Sequence, residues 1–336
     1  MKNLLRSIIA IISVLCISLG VISCSKIKGK SKVEEVTVTM SVNGTMHEFK
    51  FDLYLNYAGG TIEHFKHLAT SNYYTNSAVS NVNGHVEFGA YKFADNGAFR
   101  SKDTDYTSLI TPTYMADKYL YYGKDKNEMK DYPRYRGGCI VGEFASNGYT
   151  GSDLNFDGAL VLKRDVDTEI SANAYNTGKA TMAVTFGTGD YYFTSPSEFA
   201  IIGMISKEDG DATTSSYARL KKIMTDYAED SNGNVYYYYT LGTAEYYESL
   251  NEEHEDVEIA GYGHYFMYDK EESCYRWDSN GDGKVNNDDE KLEDDTEVEG
   301  DAAEIIIKEL AENGVYLNTI PYEGVVIKVE KITFAK

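Results

Sequence analysis

The chain has 336 residues, 42% of them hydrophobic and 25% charged, and a formal charge of −21. That balance excludes a disordered chain, and the net negative charge disfavours nucleic acid or an electrostatic hold on anionic lipid. The acid is unevenly placed: from Glu245 to Glu304 there are 22 Asp and Glu against 4 Lys and Arg, and the rest of the chain is close to neutral. Tyr occurs 30 times and Pro 4 times, and Tyr suits half-buried strands and wet binding surfaces.

Residues 1–23 read as an export signal. Lys2 and Arg6 are followed by an uncharged, mostly apolar run from Ser7 to Ser23, a positive region leading into an apolar one. No second apolar run is long enough to predict a spanning helix. The signal ends Val21-Ile22-Ser23-Cys24, which resembles the lipobox of bacterial lipoproteins. The resemblance implies that the Cys24 thiol takes a diacylglycerol and becomes the first residue after cleavage. The mature chain would then be lipid-anchored on the extracytoplasmic face of a bacterial cell membrane, each buried CH₂ contributing ~0.8 kcal/mol. The alternative is an ordinary secretory signal with an incidental Cys. Residues 24–33, with Lys26, Lys28, Lys30 and Lys32, read as a solvated tether. Cys139 and Cys274 remain after processing; an exported chain permits them to pair, but their spacing does not place them together. No Cys/His cluster predicts zinc.

From Glu34 to Leu55, apolar residues alternate (Val36, Val38, Met40, Val42, then Phe49, Phe51, Leu53) on either side of Asn43-Gly44. This predicts a hairpin. Ile62, Phe65 and Leu68/Ala69 predict a helix over 61–70; its His64/His67 pair reads as surface, not as metal ligands. A turn and strand follow over 73–91, then a polar, Tyr-rich surface excursion over 94–132. Short apolar strands are predicted at 158–163, 181–186 and 199–205, and an amphipathic helix at 216–228. Asp230 to Asn234 is a turn before the aromatic strand 235–241. Asp301-Ala-Ala-Glu304 predicts a capped helix ending near Gly314, and 325–334 alternates again as a closing strand. Many short strands with two or three helices predict a barrel or sandwich capped by helices.

The motif order is similar to that of the cyclophilins, barrel-type peptidyl-prolyl isomerases. Phe51-Asp-Leu-Tyr-Leu55, Gly60-Thr-Ile-Glu-His-Phe65 and Asn72-Tyr-Tyr74 resemble the family's strand, first helix and "G-Y-Y" turn. Arg136-Gly-Gly138 through Gly142-Glu-Phe144 resembles its "G-G…E-F" loop. Gly158-Ala-Leu-Val-Leu162 and Ala200-Ile-Ile-Gly203, with the helix that follows, resemble two later strands, and Val325–Thr333 resembles the last. The resemblance implies a site for Xaa-Pro peptides or exported polypeptides. It puts Asn81 where the family has its catalytic arginine, whose guanidinium favours a twisted amide against a barrier of ~18–20 kcal/mol. Asn donates but carries no charge. His85, on the same strand region, is the substitute donor. Val79, Met182, Tyr191 and Phe199 are implied as the proline-pocket wall.

Asp278-Ser-Asn280-Gly-Asp282-Gly283-Lys284-Val285-Asn286-Asn-Asp288-Asp289 resembles an EF-hand or dockerin-type loop. That spacing implies Ca²⁺ held by Asp278, Asn280, Asp282, the Lys284 carbonyl and Asp289, with Gly283 at the sharp turn. The alternative is a solvated acidic turn. Asp153-Leu-Asn155-Phe-Asp157-Gly158 mimics the pattern but has Arg164 at position twelve.

The fold expected is mainly β with α, a cyclophilin-like closed β-barrel capped by helices with an acidic α+β insertion. The barrel is expected over 34–225, the insertion over 226–313 and the final barrel strand over 314–336. The function expected is that of a membrane-anchored cyclophilin-like lipoprotein with a degenerate isomerase site. The alternative is a non-catalytic extracytoplasmic module that binds protein or glycan.

Overall fold

The computed structural model describes residues 32–110, 139–149, 154–164, 175, 177–187, 193, 195–239, 265–278, 280–289, 291–292 and 317–335. The export signal, Cys24, the tether up to residue 31, Tyr191 and the helix expected at 301–313 lie outside them.

β1 (Val33–Val42) and β2 (Thr45–Tyr54) form the expected hairpin, in register from Val33↔Tyr54 to Val42↔Thr45. Asn43 and Gly44 both take positive φ, 48° and 82°, as a two-residue turn of that hand requires. α1 (Gly59–Thr70) follows, then β3 (Ser77–Asn81), β4 (His85–Phe93), β5 (Phe99–Ser101) and α2 (Asp103–Leu109). β5 and α2 give the start of the predicted excursion a definite structure. The remaining barrel elements are β6 (Ala159–Leu162), β7 (Met182–Thr185), β8 (Ile201–Ile205) and α3 (Ser216–Asp226).

A second region contains β9 (Val235–Tyr239), β10 (Tyr265–Asp269), β11 (Cys274–Trp277), β12 (Lys291–Leu292) and β13 (Leu317–Ile320). β14 (Ile327–Phe334) returns to the first sheet. The strand order β3-β14-β1-β2-β8-β6-β7-β4, closed by β3–β4 pairing, is an antiparallel eight-stranded barrel, with β5 attached to β4. Closure leaves the barrel proper without exposed edges. β9 to β13 form a separate five-stranded sheet in the order β12-β11-β10-β9-β13. β13 belongs to this sheet through Leu317↔Tyr239 to Ile320↔Tyr236, so the inserted sheet runs past residue 313 and takes in part of the stretch expected as barrel.

Inward residues of alternate strand positions fill the barrel: Val36, Val38, Met40, Phe49, Phe51, Leu53, Val79, Phe88, Leu160 and Met182 are buried with Phe65 and Leu68 of α1. Gly89 is needed where β4 passes the chain at Ala180, because a Cβ there would lie 2.6 Å from the Ala180 carbonyl oxygen. α1 lacks a side-chain cap of its own. Instead the Glu143 carboxylate accepts from the N–H groups of Gly60 (3.1 Å) and Thr61 (2.6 Å) and from the Thr61 hydroxyl, meeting the helix's unpaired donors and positive end. His64 is 1% exposed, not on the surface as its helical spacing predicts, and bonds the Lys179 carbonyl. Burial lowers its pKa to about 4, only partly opposed by that carbonyl. Cys139 and Cys274 are not joined by a disulfide.

The inserted sheet packs against the barrel through aromatic side chains. Tyr236, Tyr238, Met267, Val285 and Ile320 are buried against Tyr91 and Phe99 of β4 and β5. Tyr238 stands edge-on to Tyr91 at 5.2 Å and to Phe99 at 5.0 Å. Such rings bury large areas while their hydroxyls find partners, as Tyr265 does by accepting the Phe99 N–H at 2.5 Å.

Candidate functional site

Side chains alternate across a strand, so a one-residue shift in register moves a residue from the core to the outer face. Val79 pairs with Phe88, Phe88 with Met182, and Met182 with Leu162. All four are interior, each no more than 5% exposed. Val79 and Met182 therefore pack the barrel core and line no outward groove. The opposite set, Glu87, Ala183, Val161 and Ile201, is also joined by direct pairing across β4, β7, β6 and β8. Ser80, between Val79 and Asn81, reaches Glu87 on this outer face, its hydroxyl donating to Oε1 at 3.0 Å.

Asn81 has a different task from the one implied by the resemblance. It is 3% exposed. Its Nδ2 donates to the carbonyls of Asn83 (2.9 Å) and His85 (2.8 Å), and its Oδ1 accepts the N–H of Thr319 at 3.1 Å. Both ends of the amide are thus engaged by backbone. The pairing of β3 with β4 is irregular between Ser77 and Val79 and again between Val79 and Asn81, so motif order alone does not fix which way these side chains face.

The outer face carries a buried polar network. Glu87 is 1% exposed. The Lys163 amine donates to its Oε2 at 2.5 Å, and the His85 ring nitrogen Nε2 lies 3.5 Å from the same oxygen. Burial alone would raise the Glu87 pKa, but Lys163 and His85 hold it down to about 2. The Lys163 side chain retains 17% exposure. Beside this network, Leu154, Phe156, Phe193 and Phe199 cover Ala159, Val161, Ala183 and Ile201 in a second apolar cluster, with Tyr54 and Met204 at its rim. Of the implied pocket wall, Phe199 alone among the described residues belongs to this face, and it is 2% exposed. His85 joins it through Phe193, ring to ring at 4.9 Å. Tyr191 lies outside the described residues.

Arg164 closes the edge of the cluster. Its guanidinium lies 4.5 Å from the centre of the Phe199 ring, 5.0 Å from Tyr175 and 5.5 Å from Phe144, while Nε donates to the Glu198 carbonyl at 2.8 Å. Lys163, Ser80 and Arg164 belong to none of the motifs that carry the resemblance; the adjoining basic pair at the end of an otherwise apolar strand is their signal in the sequence.

The acidic loop has the turn geometry its spacing predicts. Asp278 Oδ1 accepts the N–H of Asp282 (3.0 Å) and Oδ2 that of Gly283 (2.9 Å). Asp289 Oδ2 accepts the N–H of Asn286 at 2.8 Å, and Asn280 Nδ2 lies 3.5 Å from Asp289 Oδ1. Positions three and twelve are thus brought together, and Asp278 and Asp289 are buried. Gly281 and Gly283 take φ of 70° and 82°. A Cβ on Gly283 would lie 2.6 Å from that of Ala98, so the loop sits directly on the β4–β5 turn. In the mimic, among the described residues 154–158, Leu154 and Phe156 are buried in the second apolar cluster. Asp157 there accepts from Lys207 and from the Tyr217 hydroxyl, both at 2.5 Å.

No family model and no curated protein matches the sequence. Solved structures similar to the chain include a cyclophilin-type peptidyl-prolyl cis-trans isomerase of Cryptosporidium parvum, at 15% identity and a TM-score of 0.33, covering 60% of this chain and 90% of that one. The same Cryptosporidium enzyme crystallised in the presence of the dipeptide Ala-Pro gives 15% identity and 0.31. The cyclophilin of Mimivirus gives 12% identity and 0.34, over 58% of this chain and 79% of that one. The closed eight-stranded barrel itself is established by its own strand order and register.

Proposed function

We propose that this chain is a cyclophilin-like lipoprotein, anchored through Cys24 on the extracytoplasmic face of a bacterial membrane, whose barrel binds exported polypeptides with prolyl isomerase activity weak or absent. The observation that carries the reading is the outer face of β3, β4, β6 and β7. Asn81 is consumed by backbone bonds. Of the cations at this face, Lys163 is paired with Glu87 and Arg164 lies over the Phe199 ring, and the apolar residues beside them are buried. A donor aimed at the prolyl nitrogen is a transition-state contact, and removing such a contact costs roughly 10²–10³ in rate.

The loop from Asp278 to Asp289 holds Ca²⁺ in this reading. Asp278, Asn280, Asp282 and Asp289 supply side-chain oxygens and Lys284 a carbonyl, the hard donor set that calcium takes. The ion neutralises charge in an acidic segment and fixes the loop on which Val285 enters the inter-sheet core.

The test is acceleration of cis-to-trans conversion in a short Xaa-Pro peptide. The expected result is at most about 1% of the rate of an ordinary cyclophilin at equal concentration, in keeping with the lost contact. A rate comparable with that of a cyclophilin would overturn the reading.

A further inference from the structure

An asparagine followed by glycine can modify itself, because the glycine N–H, unhindered by a Cβ, can attack the asparagine side-chain amide. The sequence has seven such pairs, six of them among the described residues. In five of the six, the fold holds the attacking or the attacked group. Gly97, Gly148 and Gly233 donate their N–H groups to the carbonyls of Ala94 (2.9 Å), Ala145 (3.0 Å) and Asp230 (3.0 Å). Asn43 Oδ1 accepts the Val326 N–H at 2.8 Å, and Asn280 Oδ1 accepts the Asp282 N–H at 2.8 Å. The sixth pair, Asn83-Gly84, lies in the turn between β3 and β4, with Asn83 exposed. Its backbone is fixed through carbonyls: that of Asn83 accepts from Asn81 Nδ2 at 2.9 Å, and that of Gly84 from the Phe186 N–H at 3.0 Å. Among the described residues, the Asn83 side chain and the Gly84 N–H have no hydrogen-bond partner.

We propose that Asn83 is a self-modification site, whose conversion to isoaspartate loosens the joint between the barrel and the inserted sheet. The Gly84 nitrogen loses its proton to solvent and bonds to Asn83 Cγ. The Cγ–Nδ2 bond breaks and ammonia leaves, giving a five-membered succinimide. Water then opens the ring at one of its two carbonyls. Opening at Cγ gives aspartate. Opening at the main-chain carbonyl gives isoaspartate, in which the chain runs through Cβ and Cγ and the former main-chain carbonyl becomes a carboxylate. The joint is sensitive to this change because Asn81 spans it: Nδ2 donates to the Asn83 carbonyl while Oδ1 accepts the Thr319 N–H at 3.1 Å. An added backbone atom displaces the acceptor to which Asn81 is fitted, so the side chain that holds Thr319 loses one of its two carbonyl anchors. The inference does not depend on what the barrel binds.

The experiment is incubation of the folded mature chain at mildly alkaline pH, with the same chain in urea as the reference. Proteolysis and mass spectrometry then follow each Asn-Gly peptide, and enzymatic methylation counts isoaspartate. In urea the six sites are expected to react at similar rates. In the folded chain Asn83 is expected to convert first, ahead of each held pair by roughly 2- to 10-fold, the factor that one net hydrogen bond imposes. Asn83→Gln, whose longer side chain closes a ring far more slowly, should accumulate no isoaspartate at this turn. Hydrogen exchange of the Thr319 N–H reads the joint. It should quicken in the isoaspartyl form and keep its starting rate in Asn83→Asp, which gains the charge without the extra backbone atom. Conversion of another site before Asn83, or an Asn83 that survives in the folded chain while it reacts in urea, would overturn the assignment of the site. Equal Thr319 exchange in the isoaspartyl and Asn83→Asp forms would overturn the loosening of the joint.

Discussion

The side chain of Asn81 and the backbone of Thr319 are joined by a 3.1 Å hydrogen bond that ties the barrel to the inserted sheet. The Val82 N–H returns a bond to the Thr319 carbonyl at 2.7 Å, so β13 is held through both backbone groups of Thr319 at the turn between β3 and β4. The position that the motif order aligns with a catalytic arginine therefore serves as a joint.

Replacing Asn81 tests that role. Asn81→Ala leaves the Thr319 N–H and the two carbonyls of the turn without their partner, and each buried group stranded in this way costs about 1–3 kcal/mol. The midpoint of urea unfolding should fall accordingly. Asn81→Arg should destabilise at least as much and should not raise prolyl isomerisation. An active, fully stable Asn81→Arg protein would show that the side chain faces a free groove.

Much of this arrangement is legible in the sequence. The β1–β2 hairpin, α1, the strands β6 to β8 and β14 follow from alternation, turn residues and spacing, because each is a local pattern with one buried side. The outer face was not legible, because its membership turns on strand register. Val79 and Met182 look like pocket residues when aligned by motif, and the bulges in β3–β4 are set by long-range packing. Glu87 carries no local signal of its role, because its partners Ser80 and Lys163 come from other parts of the chain. β13 was hidden for the same reason: four residues whose pairing partner, β9, lies far earlier in the chain.

Acid should unfold the protein in two stages. His64 takes up a proton near pH 6.5 when unfolded but only near 4 when folded, since its site is dry. The unfolded state binds more protons between those values, so stability is complete above pH 6.5 and falls as the pH drops toward 4, by roughly 3 kcal/mol. Glu87, lowered from 4.5 to about 2, adds a further loss as the pH falls through that lower window. Melting temperature measured from pH 8 to pH 3 should show both declines. His64→Gln, which keeps a donor for the Lys179 carbonyl, should flatten the upper one. An unchanged slope in that variant would assign the upper decline to another group.

Calcium should raise stability through the loop at Asp278–Asp289. For an ion bound only by the folded chain, the gain is about 2.7 kcal/mol at a hundredfold excess over Kd. Melting in millimolar calcium should exceed melting in chelator, and Asp278→Ala should abolish the difference. Because Val285 of the loop lies in the aromatic core shared with Tyr91 and Phe99, exchange protection of the Phe99 N–H should rise with calcium. Identical melting in calcium and chelator, with no heat on titration, would leave the loop as an acidic turn.

The last prediction concerns Cys24. The first strand begins at Val33, and the Lys32 carbonyl is already fixed by the Leu55 N–H at 3.0 Å. From Cys24 to that point the chain reaches at most ~3.3–3.6 Å per residue, so a lipid on Cys24 holds the barrel within roughly 30 Å of the membrane surface. Two or three acyl chains anchor stably where one does not, and the net charge of −21 gives no electrostatic hold on anionic lipid to replace them. The protein made in a bacterium should therefore sediment with membranes, resist extraction by high salt and enter the detergent phase. Cys24→Ala should remain unprocessed or appear free of lipid in the soluble exported fraction. Mass spectrometry of the mature N-terminus decides between these outcomes: an acylated Cys24 as residue one supports the anchor, and cleavage at another bond or an unmodified thiol removes it.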